Sequence, residues 1–320
     1  MRGNIVILPF VGACAIIYCF ITYNTDSVRS CNEDWTELNV NDESALRKVV
    51  EVCLENKEGS YTSNCQIPLR YLSVAKPLVA LASFPGSGNT WTRTLLETAT
   101  GILTGSLYSD RGAFDGSKMC PARGKIFVVK THGRDYVGRK TDCMRLNITR
   151  INYSKAIYII RNPYNALLAD FNRVIQTRKH VVNPQIDLAP KEMFNTNVWR
   201  TFVRSSAVRW KDMTIYWLRR RDIQVYILVY EKLVENVFLE MIKLANFLNY
   251  EILYTNAQCL SSNITKTFKR IKPKWLSKER LFNDKMKKQL NTMIQIVKTT
   301  VLKKYNISDT LDSYILPLSK

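Results

Sequence analysis

Apolar and polar positions fall along this chain in blocks of strand and helix length. The longest apolar block is the uncharged run Ile5–Tyr23, followed by a polar stretch, Asn24–Lys76, with one amphipathic patch near Ser44–Leu54. Beyond it, short, almost wholly apolar runs predict buried strands at Leu78–Ser83, Lys125–Lys130, Ala156–Ile160 and Val225–Tyr230. Segments of helical period lie between and after them: Trp91–Thr100, a helix opened by Pro163, Val198–Arg220, Val237–Leu248 and Ser277–Lys304. Strands that are apolar on both faces and alternate with helices predict a parallel sheet, hence an α/β fold with helices covering the sheet. Trp199, Phe202, Val203, Trp210 and Trp217 recur on one face of their helix and are expected to form a core stripe.

The chemistry sits where the strands end. Pro85-Gly86-Ser87-Gly88-Asn89-Thr90-Trp91 joins the first strand to the first helix. A small-residue turn there aims backbone N–H groups and a helix N-terminus at one spot, which favours a bound phosphate. The turn lacks the lysine of a Walker A loop, which counts against a nucleoside-phosphate kinase. The second strand runs into Lys130-Thr131-His132, and the third into Arg161-Asn162-Pro163. In open α/β sheets, ligands sit outside the carboxyl ends of the strands. Lys130, His132 and Arg161 are therefore expected to face one anionic ligand and its reaction partner. The other of the two histidines, His180, follows Arg178-Lys179 and is read as an exposed cation at a helix end.

The segments SFPGSGNTW, KTH, RNPYNALLADFNR and VYEKL resemble, in order and spacing, those of the sulfotransferase superfamily, over about Pro77–Ile271. They are most similar to the WSC-domain-containing Golgi sulfotransferases associated with sulfation of sialic acid, although Asn24–Lys76 is too short to hold WSC domains. The resemblance implies a P-loop-like three-layer fold and 3′-phosphoadenosine 5′-phosphosulfate as donor, with no metal. It implies that Gly86–Trp91 binds the 5′-phosphosulfate, with Trp91 and Tyr230 near the adenine. Arg161 and the later stretch Phe268-Lys269-Arg270 are matched to the 3′-phosphate. Lys130 and His132 form the catalytic pair, His132 taking the proton of the acceptor hydroxyl. Two positions depart from the cytosolic members: Gly86 stands for a lysine and Ala169 for a serine. Lys130 or Arg93 is expected to stand in for the missing lysine. A weak enzyme, or a membrane protein that keeps the fold only to bind anions, is the alternative reading.

Charge and cysteine usage place this domain. The net charge of +20 implies anionic partners. Ile5–Tyr23 approximates the roughly 20 residues that span a bilayer, and reads as an uncleaved signal anchor in preference to a cleaved signal peptide. The expected organisation is residues 1–23 as cytosolic tip and transmembrane helix, 24–76 as lumenal stem and 77–320 as sulfotransferase domain. That describes a single-pass type II Golgi membrane protein. Expected partners are a glycan or glycoprotein acceptor and the membrane, with homodimerisation left open and no nucleic acid. Beyond Cys14 and Cys19 in the apolar run, Cys31, Cys53, Cys65, Cys120, Cys143 and Cys259 are an even set that suggests disulfides, of unreadable connectivity. Sequons at Asn147, Asn152, Asn263 and Asn306 fit a lumenal chain.

Overall fold

The structure, a computed structural model, describes residues 67–108, 115–118, 120–133, 143, 147–148, 150–178, 188–250, 252, 256, 259–260, 273–301 and 304–319. Ile5–Tyr23, most of the stem, His180 and Phe268-Lys269-Arg270 lie outside these residues. Among the described residues, no helix is long and apolar enough to cross a membrane.

The chain divides into two compact units. The larger, residues 71–93, 103–231 and 268–320, holds a five-stranded sheet ordered β2-β3-β1-β4-β5. The strands are β1 (Val79–Ser83), β2 (Gly105–Ser106), β3 (Val128–Thr131), β4 (Lys155–Ile160) and β5 (Gln224–Val229), and every pairing is parallel. Central strands of a parallel sheet are covered on both faces: β1 is buried throughout and β4 everywhere except Lys155. The four strands read from the sequence are the four longest. The fifth, β2, is a two-residue edge strand with no apolar run to announce it.

Helix α1 (Asn89–Thr100) follows β1, and α2 (Pro163–Arg178) follows β4. Asn162 caps α2, its Oδ1 accepting from Tyr164 N at 3.0 Å, with Pro163 next, where its missing N–H costs nothing. The long helix α3 (Asn197–Leu218) begins at Thr196, whose hydroxyl accepts from Trp199 N. Its Trp199, Val203, Trp210 and Trp217 are fully buried, and Phe202 is half-buried against the same core. Tyr158 of β4 donates to Thr214 Oγ1 at 2.7 Å, and Thr214 donates to Trp210 O at 2.7 Å, so a buried polar pair ties α3 to the sheet. The ordinary cost of burying two hydroxyls is thereby avoided.

Short helix α4 (Tyr230–Glu235) follows β5 directly. The long basic helix expected over Ser277–Lys304 is two helices, α6 (Lys278–Leu281) and α7 (Asp284–Val301). The break falls at Phe282 and Asn283. Asn283 Oδ1 accepts from Met286 N at 3.0 Å, the cap signature of a new start. The apolar stripe of α7, Met286, Leu290, Ile294, Val297 and Val301, is buried, while Lys285 and Lys288 are exposed. Helix α8 (Ser308–Asp312) follows.

The smaller unit, residues 94–102 and 232–267 among those beyond Arg70, contains α5 (Val237–Leu248). Asn236 caps it by accepting from Leu239 N at 3.0 Å. Asn249 ends it at φ 52°, the left-handed conformation common past a helix end.

Candidate active site

Because every strand is parallel, β3, β1, β4 and β5 deliver their carboxyl ends to one edge of the sheet in that spatial order. His132 follows β3, the turn Phe84–Gly88 follows β1, Arg161 follows β4 and Tyr230 follows β5. The turn thus lies between His132 on one side and Arg161 and Tyr230 on the other. The chain's crossovers reverse direction beside β1, the place where open α/β sheets bind ligands.

Two positive-φ glycines shape the turn, Gly86 at 81° and Gly88 at 92°, conformations that a side chain strains. Close packing forbids a side chain there as well. A Cβ on Gly88 would lie 2.4 Å from the Tyr230 ring, and one on Gly86 would lie 2.4 Å from Ala166 O and 3.2 Å from Ala169 Cβ. Asn89 anchors the far end of the turn, its Nδ2 donating to Leu81 O at 2.9 Å and Ser83 Oγ at 3.1 Å. The two departures noted in the sequence, Gly86 and Ala169, are therefore neighbours. The turn is folded down onto α2, and no lysine fits at position 86 in this conformation.

Arg161 donates from Nη1 to Gly86 O at 2.6 Å, and its guanidinium carbon stands 4.0 Å from the centre of the Tyr230 ring. Trp91 meets that ring edge-on at 5.9 Å. Glu231 braces the end of β4: its Oε1 accepts from Asn162 N at 3.1 Å and its Oε2 from the Tyr314 hydroxyl at 2.8 Å. Burial, reinforced by the Glu231 carboxylate, raises the Tyr314 pKa well above the ordinary tyrosine range, so it remains a donor.

Three buried polar atoms at this edge have no hydrogen-bond partner: Ser87 Oγ, Asn89 Oδ1 and Arg161 Nε. Such atoms are rare in folded proteins because each forfeits its hydration, and they call for an explanation such as a ligand. Ser87 Oγ and Arg161 Nε can donate to an anion, as the turn's N–H groups can. Donor set and glycine cradle fit a phosphate-bearing nucleotide.

On the other side of the turn, His132 Nδ1 lies 2.9 Å from Ser83 O and 3.4 Å from Ser83 Oγ. A carbonyl oxygen only accepts, so Nδ1 carries the proton and the lone pair is on Nε2. The backbone N–H of His132 donates to the Tyr108 hydroxyl at 2.9 Å, and the two rings stack at 5.7 Å. Trp217 Nε1 donates to Gly133 O at 3.2 Å, holding the next residue. A cavity of about 310 Å³ opens at His132, lined by Gly133 and by Ser205, Val208, Arg209, Asp212, Met213 and Tyr216 of α3.

The sequence-derived set Pro85–Trp91, Lys130, His132, Arg161 and Tyr230 is thus brought to one edge; Phe268-Lys269-Arg270 lies outside the described residues. Arg93 does not stand in for the missing lysine. It is fully buried, its Nε donating to Thr104 Oγ1 at 2.8 Å and its Nη2 to Thr104 O at 2.9 Å and Ser117 Oγ at 2.8 Å. Sequence reading missed Ser83 and Glu231, although Glu231 lies inside a quoted motif. Tyr108 opens the Gly- and charge-bearing loop Tyr108–Arg123, which the sequence offers as a wall of the acceptor site, and the structure sets its ring against His132.

Residues 76–294 match the family model of the sulfotransferase domain. The chain belongs to that family. This sulfotransferase-domain chain is also 34% identical over 199 residues to a WSCD family member of Drosophila melanogaster, covering 61% of this chain and 57% of that protein. It is 35% identical over 184 residues to one of Aedes aegypti, covering 56% and 53%, and 32% identical over 205 residues to one of Drosophila pseudoobscura pseudoobscura, covering 63% and 60%. The chain thus spans between 53% and 60% of the length of these relatives. Among solved structures it is similar to mouse sulfotransferase SULT7A1 complexed with PAP, at a TM-score of 0.47 and 16% identity, covering 75% of this chain and 89% of that one.

Proposed function

We propose that this chain transfers a sulfuryl group from 3′-phosphoadenosine 5′-phosphosulfate to a hydroxyl of a glycan, sialic acid being the favoured acceptor, in the Golgi lumen. The observation that carries the donor site is the pair of unpartnered buried donors, Ser87 Oγ and Arg161 Nε, around a glycine cradle. Membership of the sulfotransferase family supports the chemistry, and the choice of sialic acid rests on the resemblance of the motifs SFPGSGNTW and RNPYNALLADFNR to the WSC-domain-containing sulfotransferases. The disulfide Cys120–Cys143 and the exposed sequon residues Asn147, Asn152 and Asn306 support a lumenal setting.

In this reading the donor supplies the sulfuryl group, whose sulfur gains a bond to the acceptor oxygen and loses its bond to the 5′-phosphate oxygen, which keeps the electron pair. The turn's N–H groups and Ser87 bind the 5′ end. Arg161 binds the 3′-phosphate, backed by Tyr230, and Trp91 and Tyr230 flank the adenine. His132 Nε2 takes the acceptor proton, its tautomer set by Ser83 O. Lys130, near the carboxyl end of β3, would offset charge on the departing phosphate. The cavity between His132 and α3 receives the acceptor.

Gly86 and Ala169 support a second reading, an anion-binding protein without turnover. Labelled-sulfate transfer from the donor by the detergent-solubilised full chain, across a panel of sialylated and asialo glycans, separates the two. Transfer to sialylated acceptors alone is the expected result, and donor binding without transfer to any acceptor overturns it. Arg161→Ala should weaken binding of 3′-phosphoadenosine 5′-phosphate by about 1.5–3 kcal/mol, the cost of losing a hydrogen bond to a charged group. Calorimetry giving equal affinities would remove Arg161 from the site.

A further inference from the structure

The acceptor-side cavity contains a cation that no motif announced. Ser205, Val208, Arg209, Asp212, Met213 and Tyr216 share one face of α3 at helical spacing and line the cavity opposite His132. Among the described residues that line it, Arg209 is the one lysine or arginine. Its guanidinium carbon stands 5.2 Å from the centre of the Phe84 ring, the first residue of the phosphate-binding turn. Its Nη2 lies 3.3 Å from Asp170 Oδ2 and 3.5 Å from Ser206 Oγ. Asp170 is also the residue whose backbone N lies 2.9 Å from where a Gly86 Cβ would stand. Arg209 is therefore tethered at the turn on one side and borders the base's cavity on the other. Its side chain is 58% exposed, whereas Asp170 is 1% exposed and has a second partner in Arg173, so Asp170 is not left unpaired if Arg209 turns to a ligand. The other charge on the cavity wall, Asp212, is paired with Lys211 at 2.8 Å.

We propose that Arg209 contacts the oxygens of the sulfuryl group as it is transferred, a positive charge additional to that of Lys130 at the departing phosphate. This rests on the sulfotransferase reading above. The acceptor proton passes to His132, the sulfur–oxygen bond to the acceptor forms, and the bond to the 5′-phosphate breaks with its electron pair on the phosphate. Throughout, the three sulfuryl oxygens lie between the turn and the cavity. A planar guanidinium with several N–H donors suits oxygens in that position. A preorganised cation matters most where charge develops.

The test compares Arg209→Gln, Arg209→Lys and Arg173→Gln in the full chain, by steady-state transfer and by calorimetry without acceptor. Two nucleotides that differ only in the sulfuryl group, the phosphosulfate donor and its 3′,5′-bisphosphate product, are the probes. Arg209→Gln is expected to lower kcat about 10²–10³-fold, with acceptor KM nearly unchanged. It should weaken binding of the donor while binding of the bisphosphate stays within roughly twofold. Arg209→Lys should recover about tenfold of the lost rate, because it keeps the charge but not the fork. The proposal falls if Arg209→Gln changes acceptor KM alone, which would make Arg209 an acceptor ligand. It also falls if Arg173→Gln reproduces the loss, which would route the effect through Asp170. Equal weakening toward both nucleotides would overturn it too. If wild type transfers to no acceptor, the function reading fails, while the difference between the two nucleotides still tests Arg209.

Discussion

At the scale of single residues, the site divides its two tasks between two sides of one turn. In the proposed reaction, donor affinity would rest on the turn's N–H groups, Ser87, Arg161 and Tyr230, and none of these roles calls for an imidazole. Proton removal would rest on His132, whose Nδ1 lies against the Ser83 carbonyl oxygen at 2.9 Å and leaves Nε2 for the acceptor. His132→Ala should therefore lower transfer about 10²–10⁴-fold, while calorimetry shows the affinity for 3′-phosphoadenosine 5′-phosphate unchanged. Turnover surviving within a factor of a few would make the imidazole structural. Gly86 gives a second, opposite expectation. Restoring the lysine of cytosolic members by Gly86→Lys ought not to raise activity. The position has φ 81°, and its Cβ would press on the backbone oxygen of Ala166 at 2.4 Å. A left-handed L-residue costs roughly 1–2 kcal/mol even without a clash, so melting temperature and nucleotide affinity should both fall. A Gly86→Lys chain that turns over faster than wild type would show that the turn can lift off α2.

At the scale of elements, what the sequence made legible follows from which signals are local. Solid apolar runs announce central strands, since both faces of β1 and β4 are covered, and the small-residue turn and Asn162-Pro163 announce helix starts by their own backbone chemistry. The edge strand β2 and the break at Phe282-Asn283 were not legible, because a two-residue edge has no pattern and the break depends on one side-chain cap. The stripe of tryptophans on α3 was read correctly as core. Its opposite face was not read at all, since Ser205, Arg209 and Tyr216 look like solvent positions until the fold sets His132 across from them. The disulfide Cys120–Cys143, one of many pairings the composition allowed, closes the segment that carries β3, Lys130 and His132. The turn, Arg161 and Tyr230 lie outside that loop. Removing the bond by Cys120→Ser with Cys143→Ser should destabilise the protein by about 2–4 kcal/mol. On warming, transfer should be lost before nucleotide binding, because the freed segment holds the base and not the cradle. Simultaneous loss of both would show that the disulfide supports the whole unit.

At the scale of the whole molecule, topology is the property with the widest consequences, and surface chemistry offers a direct measurement of it. The proposed donor site needs a nucleotide supplied to the compartment in which the domain lies, and a glycan acceptor is met on the lumenal side. The net charge of +20 suits acidic partners in either compartment and cannot discriminate. The sequons can. Asn147, Asn152 and Asn306 are all exposed in the folded chain, so glycan attached at any of them meets no packed core, and the modification takes place only on the lumenal side. Expression of the full chain in a secretory cell should yield a protein whose mass drops stepwise on glycosidase treatment. Asn147→Gln, Asn152→Gln and Asn306→Gln should each remove one step of that drop without altering nucleotide affinity. In sealed membranes, the domain should be protected from added protease, and it should remain membrane-bound at high pH if Ile5–Tyr23 is an uncleaved anchor. Release into the soluble fraction with its glycans intact would instead identify that segment as a cleaved signal. An unglycosylated, protease-sensitive domain would place the site in the cytosol, and with it would remove the case for a glycan acceptor.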